Sequence, residues 1–278
     1  MTAERGDAEA LKALWSGVAG RNWVAAQDVL DGLFKPFEPL LAEPVGPGAH
    51  VLDVGCGTGA TTVAAARRAG PEGSCVGVDI AEPMIEAARA RAEREGVPAR
   101  FVQADAGTHA FEPAGFDLVI SRFGVMFFDD FAAAFANLRR AARPGAELRL
   151  IVWRGPEENP FMTTAERAAG PLLPNLPPRD PNAPGQFAFA RADRVRGVLE
   201  ESGWTGITVE PLDVPCAMPA QEMERYFTLL GPVGRVLHEV DEPTRARVVE
   251  VLRTAFTPYV QGAEVRFTAA CWLVRASA

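Results

Sequence analysis

The strongest constraint on the fold is a short apolar stretch that runs directly into a glycine-rich turn. Residues 51–59 read VLDVGCGTG, and an alanine-rich segment of helical spacing follows them. This pattern is typical of a buried strand that ends in a tight loop and opens a helix. Because glycine has no Cβ atom, such a loop can turn sharply and its backbone amides can lie against a ligand. The stretch predicts a ligand site at the carboxyl end of the first strand of an α/β sheet.

Strand-like and helix-like segments alternate on both sides of this loop. The apolar runs of strand length lie at 49–54, 74–79, 99–104, 116–121 and 146–153. The segments between them that have helical spacing are 59–69, 82–96 and 130–142. This alternation predicts βαβ units with a parallel sheet, and the nearly continuous apolar runs predict strands that are buried on both faces.

The flanking regions predict additions to a single domain that spans residues 1–278. We expect four parts: an N-terminal helical cap at 1–43, a ligand-binding core at 45–153, a lid loop at 155–190, and a helical insertion at 217–260. The 155–190 segment is rich in proline and aromatic residues and has no clear periodicity, which is typical of a lid or a disordered loop. A strand at 205–214 and a final strand at 264–275 complete the pattern.

Composition excludes several classes of protein. The 278 residues are 48% hydrophobic, which is enough for one sizeable core, and the net charge of −8 makes nucleic acid a poor partner. The chain has no apolar run of the length that a membrane span needs and no signal-peptide pattern, so we expect a cytoplasmic protein. With 4 cysteines and 3 histidines, none at the spacing of zinc ligands, we expect no metal site.

Three acidic residues follow three successive predicted strands. Asp53 stands just before the glycines, Asp79 ends the second strand, and Asp105 follows the third. The spacing of Gly55, Gly57 and Ala60 also fits a dinucleotide loop, and NAD enzymes share an acid at the second strand. An acid after the third strand, which could accept from an adenine amino group, favours S-adenosylmethionine (SAM) instead. The alternative for each acid alone is a helix cap or a turn.

A resemblance to a known family rests on these motifs. The series DVGCGTG at 53–59, VGVD at 76–79, QAD at 103–105 and FDLV at 116–119 resembles the class I SAM-dependent methyltransferases. It is most similar to bacterial relatives of the ubiquinone and menaquinone biosynthesis methyltransferases. The resemblance implies a Rossmann-like α/β fold with seven mostly parallel strands, the last of them antiparallel. It also implies helices on both faces and an added helical lid.

The resemblance also implies a set of cofactor contacts. The glycines would line the methionine moiety, the second-strand acid would hold the ribose, and the third-strand acid with the amide after it would read the adenine edge. The backbone at the end of the fourth strand would meet the ligand's amino group. The residues expected at the cofactor are Asp53, Gly55, Cys56, Gly57, Gly59, Asp79, Ile80, Met84, Asp105, Ala106 and Ser121.

A second group of residues predicts an apolar pocket for the methyl acceptor. They are aromatic, sulfur-containing or cationic side chains at strand ends, in the N-terminal helices and in the proline-rich segment. The residues are Trp15, Trp23, Arg122, Phe123, Met126, Trp153, Phe161 and Phe187. Ordinary core packing is the alternative for each of them. Arg122 could meet an acidic group of the substrate or pair with Asp129.

The expected function is transfer of a methyl group from SAM to a small, apolar or aromatic molecule, through an oxygen, nitrogen or carbon that the sequence leaves open. No residue stands out as a general base, because His109 is expected in an exposed loop, so the catalytic residues are unknown. A non-catalytic SAM-binding protein is one alternative. An NAD-dependent dehydrogenase is another, although neither Tyr226 nor Tyr259 begins a YxxxK motif. A homodimer is left open.

Overall fold

The structure of the protein, a computed structural model, describes residues 13–176, 179–180 and 183–278. Its centre is a mixed sheet. The strands are His50–Val54 (β1), Ser74–Asp79 (β2), Ala99–Gln103 (β3), Phe116–Arg122 (β4), Ala142–Trp153 (β5), Thr205–Pro219 (β6), Val260–Gln261 (β7) and Glu264–Ser277 (β8). Their order is β3-β2-β1-β4-β5-β8-β6, with β7 paired to β8. Strands β1 to β5 are parallel, and β8 runs antiparallel to both of its main neighbours.

This sheet confirms the predicted α/β class and the antiparallel last strand. The one addition is β7, which pairs with the start of β8 through Val260 and Gln261. A strand of 2 residues is too short to show an alternating pattern in the sequence. The last four residues of β1 and the last six of β5 are all buried, so other elements cover both faces of the sheet there.

Helices surround the sheet. They are Val18–Ala25 (α1), Gln27–Phe34 (α2), Glu38–Ala42 (α3), Ala60–Ala69 (α4), Glu82–Glu95 (α5), Phe131–Ala141 (α6), Pro160–Ala169 (α7), Ala192–Glu201 (α8), Met223–Leu229 (α9), Gly231–Val236 (α10) and Glu242–Phe256 (α11). Capping residues fix the ends of several helices. The Asp130 carboxylate accepts from the Ala133 amide at 2.9 Å and caps α6, and Gly96 ends α5 in the left-handed region at φ 61°.

Three flanking regions differ in detail from the sequence prediction. The segment 155–190 contains the helix α7, whose buried residues Phe161, Thr164 and Ala169 pack inward. Within the predicted insertion at 217–260, the sequence of 219–239 reads as one helix, but the structure has two, because Gly231 (φ 69°) followed by Pro232 cannot continue α9. Strand β6 extends to Pro219, since it stays paired with β8 along its whole length.

The order of the strands places a crevice beside β1. Strand β1 lies between β2 and β4, so the chain leaves β1 toward one edge of the sheet and later returns to its other side. In open α/β sheets, ligands bind at the carboxyl ends of the strands at such a point. The glycine loop after β1 lies there. Among the described residues, no helix is long and apolar enough to cross a membrane.

Candidate active site

A cavity of ≈ 1160 Å³ lies at the carboxyl ends of β1, β2, β4 and β5. Its wall includes eight of the predicted cofactor residues: Gly55, Cys56, Gly57, Asp79, Ile80, Met84, Asp105 and Ala106. It also includes all eight predicted acceptor residues: Trp15, Trp23, Arg122, Phe123, Met126, Trp153, Phe161 and Phe187. The fold therefore brings most of the cofactor group and the whole acceptor group to one cavity, although they are spread over most of the sequence.

The three glycines of the loop have different reasons to be glycine. A Cβ atom on Gly55 would lie 2.5 Å from the Gly124 Cα, and one on Gly59 would lie 2.9 Å from the Ala88 Cβ. Those two glycines are required by the packing of the protein itself. Gly57 has φ 55° and lines the cavity, yet the nearest atom to a Cβ there would be the Met84 Sδ at 3.8 Å. Gly57 is thus the position where a side chain would occupy space left for a ligand.

Asp79 joins the second strand to the glycine loop. Its Oδ2 accepts a hydrogen bond from the Gly57 amide at 2.9 Å, and its Oδ1 accepts one from the Ala81 amide at 2.9 Å. Burial raises the pKa of this carboxyl, and the two amides oppose the rise. Each carboxylate oxygen can accept more than one hydrogen bond, so Asp79 can hold the loop and still accept from a ligand hydroxyl.

The loop after β3 is held in place from the side of α6. Asp105 Oδ1 accepts from the Gly107 amide at 2.8 Å. The buried Asn137 donates through Nδ2 to the Ala106 carbonyl and to the His109 carbonyl, both at 2.9 Å. These bonds leave Asp105 and Ala106 on the cavity wall in a fixed turn. Nothing in the sequence alone singles out Asn137, because its partners are 28 and 31 residues away.

Three predicted cofactor residues lie behind the cavity wall: Asp53, Gly59 and Ser121. Asp53 is 1% exposed, and its Oδ2 accepts from the Thr62 hydroxyl at 2.7 Å. Ser121 donates through Oγ to the Val54 carbonyl at 2.7 Å and so ties the end of β4 to the end of β1. The side chains of Asp53 and Ser121 therefore support the loop from behind the cavity wall.

Asp53 carries an unusual proton affinity. Burial raises its pKa from 3.8 to about 6, while the Thr62 hydroxyl and the charge of Arg122 act in the opposite direction. The carboxyl is therefore costly to ionise in the folded protein.

An aromatic wall stands next to the glycine loop. The rings of Phe123 and Trp153 stack at 4.3 Å with an interplanar angle of 11°, and Phe34 meets Phe123 edge-on at 5.4 Å. Phe123 has φ 66°, a left-handed conformation that costs a non-glycine residue about 1–3 kcal/mol. The Arg122 guanidinium lies 5.4 Å from the centre of the Phe34 ring. The strained backbone of Phe123, just after β4, thus places its aromatic ring on the cavity wall.

The N-terminal helical region covers part of this cavity. Trp15 meets Phe127 edge-on at 5.3 Å and Trp23 at 5.9 Å. Helix α1 buries only Gly20, whereas α2 buries Val29, Leu30, Leu33 and Phe34. The two helices therefore differ: α2 belongs to the core, and the stretch 13–25 rests on the cavity from outside.

The cavity also has a helical side, and the sequence prediction missed its polar residues. Glu166 on α7, Tyr226 on α9, Arg235 on α10 and Arg179 all line it. Their spacing gave no signal in the sequence, because they lie on four separate segments and Glu166, Tyr226 and Arg235 are each the one polar residue that their helix presents to the cavity. None of the three histidines is among the described residues of the cavity wall, and His50 instead bonds Ser74 Oγ at 2.7 Å.

The residues of the strand side fit SAM. Gly57 leaves space at the loop, and Asp79, Asp105 and Ala106 line the same cavity, where they would hold the ribose and the adenine edge as the resemblance implies. Acidic groups at this end suit a ligand that carries a sulfonium and an ammonium charge. When bound, SAM supplies a reactive methyl group and a good leaving group.

Comparison with known proteins agrees with this geometry. A family model described as "Methyltransferase domain" matches residues 51–145. Nocamycin O-methyltransferase from Saccharothrix syringae is 31% identical over 252 residues, which is 84% of this chain and 88% of that protein. The ubiquinone/menaquinone biosynthesis C-methyltransferase of Burkholderia mallei is 36% identical over 107 residues, which is 38% of this chain and 44% of that protein.

The fold has solved counterparts. The YcgJ protein from Bacillus subtilis superposes with a TM-score of 0.56 at 17% identity, covering 86% of this chain and 97% of that one. At this identity the similarity concerns the fold. The sequence relationship to a methyltransferase over most of both chains goes further, and it confirms the predicted family, enzyme class and cofactor. The chain belongs to the class I SAM-dependent methyltransferases.

Proposed function

We propose that the enzyme transfers the methyl group of SAM to an oxygen atom of a small, apolar or aromatic molecule. The observation that carries this proposal is the aromatic wall beside the glycine loop, where Phe123, Trp153 and Phe34 form one continuous face. Apolar and aromatic linings with a few polar groups are typical of small-molecule sites.

Oxygen is favoured as the acceptor atom by the relative with the wider match. That relative is named an O-methyltransferase and aligns over most of both chains, whereas the C-methyltransferase aligns over less than half of each. The preference rests on these names and is therefore part of the proposal.

The residues of this chain would act mainly by alignment. Methyl transfer is an in-line displacement, so the acceptor oxygen must lie on the far side of the methyl carbon from the leaving sulfur. The Phe123–Trp153 stack is rigid because it is packed against Phe34, and it can orient a flat acceptor. The Trp15–Phe127 contact covers the cavity on its N-terminal side and would help to exclude water when ligands are bound.

Mass spectrometry with methyl-deuterated SAM tests the proposal. The protein would be incubated with aromatic carboxylic acids and phenols, and separately with amino acids and sugars of similar size. We expect deuterated methyl groups on oxygen in the first set. Methylation confined to the second set, or to nitrogen, would contradict the proposal.

A pair of variants links the activity to the aromatic wall. Trp153→Ala removes one ring of the stack and is expected to raise the KM for an aromatic acceptor several-fold. Trp272→Ala is the matched control, because Trp272 lies on β8, outside the cavity wall, and bonds the Ala190 carbonyl. Equal effects of the two substitutions on KM would mean that the aromatic wall does not hold the acceptor.

A further inference from the structure

Both sides of the cavity carry charged side chains, and the strand side includes Arg122 as well as acids. On the strand side the acids Asp79 and Asp105 face the space assigned to the cofactor. On the helical side two arginines, Arg179 and Arg235, stand with two acids, Glu166 and Asp180.

The two arginines of the helical side differ in their hydrogen-bond and ion-pair partners. Arg179 donates to Glu166 Oε1 at 2.5 Å, and its guanidinium lies 4.5 Å from the centre of the Phe187 ring. Arg179 is thus neutralised by a carboxylate and fixed on an aromatic face. Arg235 makes no hydrogen bond and no ion pair with any residue in the described part of the chain.

Arg235 is nevertheless partly removed from water. Burial lowers the pKa of its guanidinium, and the charge of Arg179 acts in the same direction, while Glu166 opposes both. A partly desolvated guanidinium without a bound carboxylate is costly to the folded protein. An anionic group that entered the cavity would offset this cost with charge-assisted hydrogen bonds, which are among the strongest in proteins.

Tyr226 adds a neutral donor to the same side. Its hydroxyl donates to the thioether sulfur of Met162 at 3.4 Å, and sulfur is a weak acceptor. Burial raises the pKa of this phenol, so it stays protonated near neutral pH. The Tyr226 hydroxyl can therefore give up its hydrogen bond to Met162 and donate to a better acceptor on a ligand.

We propose that the helical side of the cavity, centred on Arg235 and assisted by Tyr226, is an anion subsite, so that the acceptor is an apolar or aromatic molecule with an acidic group. This inference rests on the proposed function, because it assigns a charge to the acceptor that the aromatic wall would hold. Arg235 is the residue that would distinguish charged from neutral acceptors, and its partner would be a carboxylate or a comparable anion.

Two dyes of matched shape test the subsite. One is 1-anilinonaphthalene-8-sulfonate, and the other is N-phenyl-1-naphthylamine, which lacks the sulfonate. Both would be titrated by fluorescence into protein saturated with S-adenosylhomocysteine. We expect the wild-type protein to bind the sulfonate dye more tightly. Arg235→Gln should weaken the sulfonate dye at least about tenfold and leave the neutral dye within about twofold.

Matched variants make the outcomes distinct. Arg235→Lys keeps the charge and should retain most of the preference. Arg247→Gln removes one charge from an exposed position of α11 that does not line the cavity, and it should change neither dye. Equal binding of both dyes by the wild-type protein would overturn the inference, whether or not Arg235→Gln folds, and so would an equal loss of both dyes in a folded Arg235→Gln. Failure of the wild-type protein to bind either dye would contradict the apolar cavity of the proposed function as well.

Discussion

The amide of Gly57 donates a 2.9 Å hydrogen bond to the carboxylate of Asp79, so the acid at the end of β2 and the loop after β1 form one unit. The second oxygen of the same carboxylate is held by the Ala81 amide at 2.9 Å. The acid therefore has two tasks: it fixes the loop, and it presents its remaining lone pairs to the cavity. A substitution there should affect both.

Asp79→Ala should lower the affinity for S-adenosylhomocysteine at least about tenfold. Each charge-assisted hydrogen bond contributes roughly 1.5–3 kcal/mol, and about 1.4 kcal/mol corresponds to one decade. Isothermal titration calorimetry measures the change. Asp117→Asn is the control, because Asp117 lies at the start of β4, far along the strand from the cavity end, and pairs with Arg143. An unchanged dissociation constant in folded Asp79→Ala would show that Asp79 only closes a turn.

Gly57→Ala tests whether position 57 must leave space for the ligand, apart from the backbone strain that any side chain there would cause. Gly57 and Gly48 both have positive φ, 55° and 78°, and neither would bring a Cβ closer than 3.8 Å to another atom. Alanine at either position should therefore cost a similar amount of stability, about 1–2 kcal/mol. Only Gly57 lines the cavity, so only Gly57→Ala should weaken S-adenosylhomocysteine binding. Denaturation and calorimetry on both variants would show whether that separation holds, and equal binding by the two would refute it.

Asp53 should make the stability of the protein depend on pH. Its pKa is raised from 3.8 to about 6, so the folded state holds the proton more tightly than the unfolded state. Stability from this group is present below pH 3.8 and is lost as the pH rises to about 6. One pKa unit corresponds to about 1.4 kcal/mol, so the free energy of unfolding falls by up to about 3 kcal/mol over this pH range.

Asp53→Asn tests this relationship, since asparagine can still accept from Thr62. We expect the variant to gain stability over the wild-type protein at about pH 7 and to lose that advantage at about pH 4. Urea denaturation at the two pH values measures both differences. If the difference in stability between the variant and the wild-type protein is the same at both pH values, Asp53 ionises normally in the folded protein.

Much of the fold and of the cofactor site could be predicted because the signals are local. The strand at 51–54 and the glycines after it are adjacent in sequence, and parallel strands bring their carboxyl ends to one edge. Asp79 and Asp105 are therefore placed next to Gly57 by topology alone. The sequence could not separate Gly55 from Gly57, since the reason for Gly55 is its contact with Gly124, 69 residues away.

The acceptor side was less predictable because it depends on packing between distant elements. Phe123 and Trp153 were predicted as pocket residues, but the left-handed backbone of Phe123 has no signal in a sequence of ordinary strand character. Tyr226 and Arg235 enter the cavity from two short helices that the sequence merges into one. Which face of such a helix points inward is set by its neighbours.

The N-terminal part of the predicted lid contains two segments that pack differently. The sequence predicts a helical cap at 1–43, a lid loop at 155–190 and a helical insertion at 217–260. Residues 1–12, 177–178 and 181–182 of these regions lie outside the described residues. Within the described part, α2 is buried in the core, while 13–25 rests on the cavity through Trp15 and Trp23. We propose that 13–25 is the part that opens for ligand exchange.

Hydrogen exchange with and without S-adenosylhomocysteine tests this gate. We expect protection to increase in 13–25 when the ligand is present and to stay unchanged in 27–42, which serves as the internal control. The gating proposal is wrong if 13–25 is fully protected without ligand and does not change when ligand is added.

A crystal structure of the complex with S-adenosylhomocysteine tests the central claim most directly. The account predicts the ribose hydroxyls within hydrogen-bonding distance of Asp79, the adenine beside Asp105 and Ala106, and the sulfur directed toward Phe123 and Trp153. The space along Phe161, Tyr226 and Arg235 should remain open for the acceptor. A ligand that lies along the helical side, with no contact to Gly57 or Asp79, would contradict the account.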